Sequence, residues 1–196
     1  MKFYSLALGD YQTNCYIVHD ENRRDCFVVD PGYQCGDILD FCADKGLTIA
    51  AVLLTHGHFD HVGAVKELAA EVPSCDVYLH EAETTMPPMM TAGKLYYTHT
   101  YDEGSKLTVA GLDIRVLHTP GHTPGSVCLV CENHLFSGDT LFAMSCGRTD
   151  LPGGSWKTIQ NSLHRLASLE GNFWIHPGHG ESTTLAQEKQ YNPYMR

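Results

Sequence analysis

The segment His56-Gly57-His58-Phe59-Asp60-His61 puts three imidazoles and one carboxylate within six residues. These side-chain types are the usual ligands of divalent transition metals. In an extended loop His56 and His58 point the same way, so both can hold one ion. Asp60 and His61 then stand at the start of a following helix, turn away from the first pair and can hold another. Gly57 lets the backbone approach closely between the first two. A lone His in such a loop is commonly a solvated surface group, whereas four ligand-type residues at this spacing are costly to place for structural reasons alone. Three later segments offer what a two-ion site still lacks. His122 lies in Thr119-Pro120-Gly121-His122-Thr123-Pro124-Gly125, Asp139 in Phe136-Ser137-Gly138-Asp139-Thr140, and His179 in Ile175-His176-Pro177-Gly178-His179-Gly180. Each of these loops contains glycine and adjoins an apolar run, as loops presented by a rigid scaffold do.

The elements that carry these loops follow from the apolar patterning. Alternating or solid apolar runs predict strands over 3–8, 14–19 and 26–29, joined by turns as a meander. A helical face over 36–46 closes at Gly46, and a buried strand over 49–54 feeds the His-rich loop. A helix over 62–71 and a strand over 76–79 complete a strand–loop–helix–strand unit. Pro87, Pro88, Gly93 and Tyr96, Tyr97 and Tyr101 predict an irregular excursion over 87–105 that lids a site. Strands follow over 106–110, 112–118, 126–131 and 134–136. A helix over 155–169 has Ser155 as its N-cap and Trp156, Ile159, Leu163 and Leu166 on one face. A last strand over 173–175 precedes a terminal helix with Thr184 and Gln187 as a capping box. The order of elements repeats in two similar halves within a single domain, 1–196.

Composition narrows the function classes. The chain has 196 residues, 13 Lys and Arg against 23 Asp and Glu, and a formal net charge of −10. That balance disfavours binding to a phosphate backbone, so no nucleic-acid partner is expected. No apolar run approaches the length of a membrane span, and no membrane partner is expected. The 8 Cys mostly sit inside apolar runs and behave as small buried hydrophobes, which points to a reducing, cytoplasmic setting. Cys128 and Cys131 lie three apart in a strand, on opposite faces, and so do not form a zinc knuckle.

The HxHxDH motif at 56–61, together with Gly121-His122-Thr123-Pro124-Gly125-Ser126, Ser137-Gly138-Asp139-Thr140-Leu141-Phe142 and Pro177-Gly178-His179-Gly180, resembles the metallo-β-lactamase superfamily. The likeness extends over nearly the whole chain, including Asn14-Cys15-Tyr16 and Asp30-Pro31-Gly32. It implies an α/β fold, a four-layer αββα sandwich with the site along one edge of two sheets. It further implies that His56, His58 and His122 hold one ion, and Asp60, His61 and His179 a second, with Asp139 bridging. Asp30 would support the His loop from behind. Two divalent ions are implied, Zn first, with Fe or Mn as alternatives, since nitrogen and oxygen ligation suits all three.

The resemblance is strongest to glyoxalase II (hydroxyacylglutathione hydrolase) and its short bacterial relatives. It implies a binuclear-metal hydrolase of a small-molecule thioester or ester, in which a metal-bound hydroxide attacks the carbonyl. Asp60 could double as a proton carrier. Cys146-Gly147-Arg148 resembles the segment whose basic residue contacts glutathione, so Arg148 is the expected substrate contact. The aromatic residue found two positions later in that family is Asp150 here, and its helical C-terminal domain has no counterpart. Antibiotic-hydrolysing relatives use a Cys ligand where Asp139 stands, so their activity is not expected. The alternatives are an iron-dependent persulfide dioxygenase, suggested by the stretch Cys146-Gly147-Arg148-Thr149-Asp150, a lactonase, or a metal-binding module without catalysis. Gly180 after His179 favours the two-metal hydrolase over the dioxygenase. Cys146 is expected to pack rather than react, His80 to be structural or to reach the pocket rim, and Tyr96, Tyr97, His99 and Tyr101 to shape the substrate mouth.

Overall fold

Runs such as Cys15-Tyr16-Ile17-Val18 and Cys26-Phe27-Val28-Val29 are apolar at every position, which suits a strand covered on both faces. The computed structural model, which describes residues 1–91 and 93–196, covers them in that way. In β2 (Thr13–His19) and β3 (Asp25–Val29), Cys15, Ile17, Cys26 and Val28 pack beneath helices. Their neighbours Tyr16, Val18, Phe27 and Val29 turn to the opposite face and meet a second sheet. The same division recurs in the second half of the chain. Within the strand Val127–Cys131, Leu129 and Cys131 face the inter-sheet core while Cys128 and Val130 face a third cluster under helices. Three apolar layers therefore separate four structural layers, the αββα sandwich.

The first sheet runs in sequence order: β1 (Lys2–Leu8), β2, β3, β4 (Thr48–Leu53), β5 (Asp76–His80) and β6 (His99–Tyr101). β1, β2 and β3 pair antiparallel; β3 through β6 pair parallel. Its outer face carries α1 (Cys35–Lys45), α2 (Phe59–Val62) and α3 (Val65–Glu71). The second sheet is built from β7 (Lys106–Val109), β8 (Leu112–His118), β9 (Val127–Cys131), β10 (His134–Gly138), β13 (Trp174–Pro177) and β14 (Thr183–Thr184). β11 (Leu141–Phe142) and β12 (Ser145–Cys146) form a small separate ribbon beside it. α4 (Trp156–Ala167) and α5 (Leu185–Tyr191) cover its outer face. Among the described residues no helix is long and apolar enough to cross a membrane.

Several expectations are corrected. The predicted helix over 62–71 is two helices, and it starts earlier, at Phe59. The break lies at Gly63 and Ala64, where the Ala64 amide donates to the Pro31 carbonyl at 3.0 Å and Gly63 packs on the backbone of Gly32. The excursion over 87–105 is not wholly irregular, because β6 closes the edge of the first sheet. Tyr101 is buried there, its hydroxyl donating to the Leu54 carbonyl. Trp156 does not share the buried face of α4: it is 45% exposed and meets Tyr194 edge-on, while Ile159, Leu163 and Leu166 are fully buried. Ser155 caps α4 by accepting from the Thr158 amide, and Thr184 caps α5 by accepting from the Gln187 amide.

The contact between the 30–32 turn and α2 is the tightest constraint on where the His-rich loop sits. A methyl group on Gly32 would collide with the Asp60 carbonyl oxygen, which is backbone and cannot swing aside. Gly32→Ala should therefore destabilise the protein by about 1–3 kcal/mol, the usual cost of overpacking a filled site. Denaturant unfolding of the metal-free protein measures it.

Candidate metal centre

The ligand-type residues lie at one edge of the sandwich, on loops and, for Asp60 and His61, in the short helix α2. Residues 55–61 follow β4, 119–125 join β8 to β9, Asp139 follows β10 and His179 follows β13. These are the carboxyl ends of strands, where open α/β sheets place their sites. His56, His58 and His122 bring one ring nitrogen each within 4.8 Å of one another, and Asp60, His61 and His179 do the same with a carboxylate oxygen. Asp30, His56 and His61 form a third such grouping.

Asp139 stands between the first two groups. Its oxygens lie 3.4 Å from His61 Nε2, 3.5 Å from His122 Nε2 and 3.6 Å from His179 Nε2. These separations are long for hydrogen bonds but suit groups that share a cation. The buried Nε2 atoms of His56, His58 and His61, and Oδ1 of Asp139, have no hydrogen-bond partner. Buried polar atoms are seldom left so. His61 Nε2 and Asp139 Oδ1 face each other at 3.4 Å from different segments, which fits a centre completed by metal, and the donor set of imidazoles and carboxylates fits divalent ions.

The far sides of three rings are fixed. His122 Nδ1 donates to the Arg148 carbonyl at 2.8 Å and His179 Nδ1 to the Tyr11 carbonyl at 3.1 Å, leaving each Nε2 free to face inward. His61 Nδ1 is held by Asp30 Oδ2 at 2.9 Å, and Asp30 also accepts from the Thr55 amide and hydroxyl. Asp30 makes these contacts from a backbone φ of +52° that few residues other than Gly, Asn and Asp adopt readily. The Thr13 hydroxyl donates to Asp60 Oδ2 at 3.3 Å.

Electrostatics divides the rings. Burial, with His122 and His61 alongside, pushes the His58 imidazole down to about 4, and His56 moves the same way. Those rings are neutral and have a free lone pair. Burial opposes charge on His61 too, but Asp139 and Asp30 outweigh it and hold the ring well above its ordinary range. Burial would raise the Asp139 carboxyl, yet His61, His122 and His179 hold it well below the usual carboxylate range.

A cleft of about 590 Å³ opens over these groups. Tyr11, Phe59, Met90, Phe142 and Leu151 supply its apolar walls, and Arg148 is its one lysine or arginine among the described residues. Sequence reasoning missed these walls, since each comes from a different segment; only Phe59 and Phe142 lie inside motifs. Of the 87–105 excursion, Met90 reaches the cleft, and Tyr96, Tyr97, His99 and Tyr101 do not line it. Cys146 lines it half-buried, its thiol pushed up by burial rather than activated.

The sequence pattern of the metallo-beta-lactamase superfamily matches residues 8–179. The chain belongs to that superfamily. Hydroxyacylglutathione hydrolase GloC of Haemophilus influenzae is 32% identical to it, over 100% of this chain and 98% of that protein. The crystal structure of BLEG-1 B3 metallo-beta-lactamase superposes with a TM-score of 0.91 at 34% identity, covering 99% of each chain. TTHA1623, solved in a di-iron-bound form, superposes with a TM-score of 0.85 at 37% identity, covering 97% of this chain and 99% of that one. A binuclear His/Asp metal site is typical of the superfamily, and this chain brings together His/Asp groups that could hold metal ions.

His80, considered for the pocket rim, lies outside the cleft and stacks on His118 with ring centroids 4.2 Å apart. His118 Nε2 donates to the Pro124 carbonyl in the loop that carries His122. Burial first, then His118, pushes His80 down to about 4, against the opposing pull of Asp102 and Glu103. A folded-state value below the unfolded one of about 6.5 means the folded protein binds fewer protons. The contribution is intact above about pH 6.5 and is lost progressively toward about pH 4. His80→Gln should flatten this acid limb, read as a smaller fall in denaturation midpoint between pH 7 and pH 4.5.

Proposed function

We propose that this superfamily member is a binuclear-metal hydrolase of thioester or ester bonds, with hydroxyacylglutathione as the first substrate class. The observation that carries the reading is the convergence of the His61, His122 and His179 ring nitrogens on Asp139 beside an apolar cleft. His56, His58 and His122 would hold one ion, Asp60, His61 and His179 the other, with Asp139 between them. When bound, such ions supply an acidified water and an electrophilic contact for a carbonyl oxygen. Zn is the first choice, with Fe or Mn as alternatives; the di-iron form of TTHA1623 supports keeping iron in view.

The chain's own residues do the rest. Tyr11, Phe59, Met90, Phe142 and Leu151 exclude water from an acyl group and orient it over the floor. Asp60 faces the cleft with Oδ2 3.2 Å from His179 Nε2, placed to carry a proton from the attacking water toward the leaving group. No side-chain nucleophile is required, and burial holds the Cys146 thiol up. The 32% identity to hydroxyacylglutathione hydrolase GloC supports the thioester class. The name of BLEG-1 weighs against dismissing β-lactams merely because Asp139 is not a Cys.

The test is a turnover screen on metal-quantified protein, with S-lactoylglutathione first, then simple esters, lactones, a β-lactam, and glutathione persulfide with oxygen uptake. About two ions per chain and thioester turnover are expected. One iron per chain with oxygen uptake on the persulfide would overturn the reading. His58→Ala, His122→Ala and Asp139→Ala should each lose metal and turnover together, by more than the roughly 100-fold that can follow from loss of an outer partner. Full turnover by metal-free protein would sink the metal role.

Arg148 stands at the cleft with its charge already engaged. Nε and Nη2 donate to the two Asp150 oxygens at 2.7 Å each, and that pairing holds the Asp150 carboxyl down to about 2. Asp150→Asn should release Arg148 and lower KM for a carboxylate-bearing thioester by about 2- to 5-fold, the scale of an exposed ion pair. kcat and the KM for a neutral ester should stay unchanged.

A further inference from the structure

Glu83 is fully buried, yet it is not among the residues that line the cleft. It lies in a short 3-10 turn, Glu81–Thr85, directly after β5. Its Oε2 accepts from the Gly57 amide at 2.6 Å, and its Oε1 accepts from the Gly125 amide at 2.6 Å. Gly57 is the residue between His56 and His58; Gly125 ends the loop that carries His122. One carboxylate therefore ties a loop of the first sheet to a loop of the second. Burial pushes its carboxyl up, and bonds from Thr123, Gly125 and Gly57 act against that.

Both glycines are explained by this contact. A methyl on Gly57 would stand 2.9 Å from Glu83 Oε2, and one on Gly125 would stand 2.8 Å from Glu83 Oε1. The HxH spacing and the Gly-Ser end of the 121–126 segment thus record the space taken by an acid far away in sequence. Across the clamp, His58 Nδ1 and His122 Nε2 lie 2.8 Å apart. The second ligand group is held differently, through Asp30 on His61 and Thr13 on Asp60.

We propose that Glu83 is a positioning residue for the first ion alone: it fixes the His56/His58 loop against the His122 loop and so preorganises the three-imidazole group. This rests on the reading of those three rings as one metal site. The carboxylate is specifically required, because two N–H donors converge on it. An amide accepts one of them but presents its own N–H to the other. Glu83→Gln is therefore not conservative here.

The experiment measures the two stepwise affinities of metal-free protein for Zn²⁺ by competition with a chromophoric chelator, in wild type and Glu83→Gln. One affinity should fall about 10- to 100-fold and the other stay within about twofold, the size and selectivity of losing an outer support. Equal loss of both, or retention of both with only a lower melting temperature of the metal-free protein, would overturn the proposal and leave Glu83 a general brace. Hydrogen exchange of metal-free wild type keeps the test open should the variant fail to fold. The Gly57 and Gly125 amides should exchange slowly, and exchange at the rate of exposed loop amides would remove the clamp. Wild type that binds no Zn²⁺, Fe²⁺ or Mn²⁺ would instead defeat the metal reading itself, a distinct outcome.

Discussion

The site depends first on one buried carboxylate. Asp30 accepts from the Thr55 amide at 2.8 Å, the Thr55 hydroxyl at 2.6 Å and His61 Nδ1 at 2.9 Å. Those partners stand at the two ends of the His-rich loop, so a single group sets the loop's span and the attitude of His61. In a low-dielectric interior such bonds strengthen one another, and any partner lost leaves a costly unpaired group. The left-handed backbone at Asp30 is the local strain that this network sustains. Because Asp30 follows β3 and Thr55 follows β4, the sheet beneath must keep those strands in parallel register for the loop to close.

Much of this was legible in the sequence because the relevant signals are local. Ligand-type residues cluster at short spacing, strands buried on both faces read as solid apolar runs, and Ser155 and Thr184 announce helix starts. The αββα sandwich itself was implied by the family resemblance that the motif segments carry. β6 was hidden because its three residues, His99, Thr100 and Tyr101, carry no pattern of their own and become a strand only by pairing with β5. The helix break was hidden because it comes from Gly63 meeting Gly32, residues of different segments. Glu83 was hidden for the same reason: nothing around it distinguishes a buried bridge from a solvated acid. Trp156 misled in the other direction, its helical spacing matching a buried face that it does not join.

Superfamily membership accounts for the scaffold and the polar floor, while reaction choice lies in what surrounds them. Proteins named as a B3 metallo-beta-lactamase and as a hydroxyacylglutathione hydrolase share about a third of their residues with this chain. A common fold is compatible with different substrates when the cleft walls differ. Here those walls come from the β1–β2 turn, the start of α2, the residues ahead of β6, the β11–β12 ribbon and the segment before α4. Tyr11, Met90 and Leu151 are contributed by connections, which change more readily than the strands they join.

The eight thiols have a further consequence. All are free, seven of them buried, and Cys128 and Cys131 contribute to cores on opposite sides of the same sheet. Their separation from one another is maintained by packing and not by any covalent bond. Once the chain opens in an oxidising solution, sulfurs from different layers can meet and cross-link in combinations that the native sandwich forbids. Unfolding and refolding are then no longer the same path travelled in two directions. Persistence in such a solution is governed by how rarely the layers part, a matter of rates, even where the balance of folded and open chains is favourable.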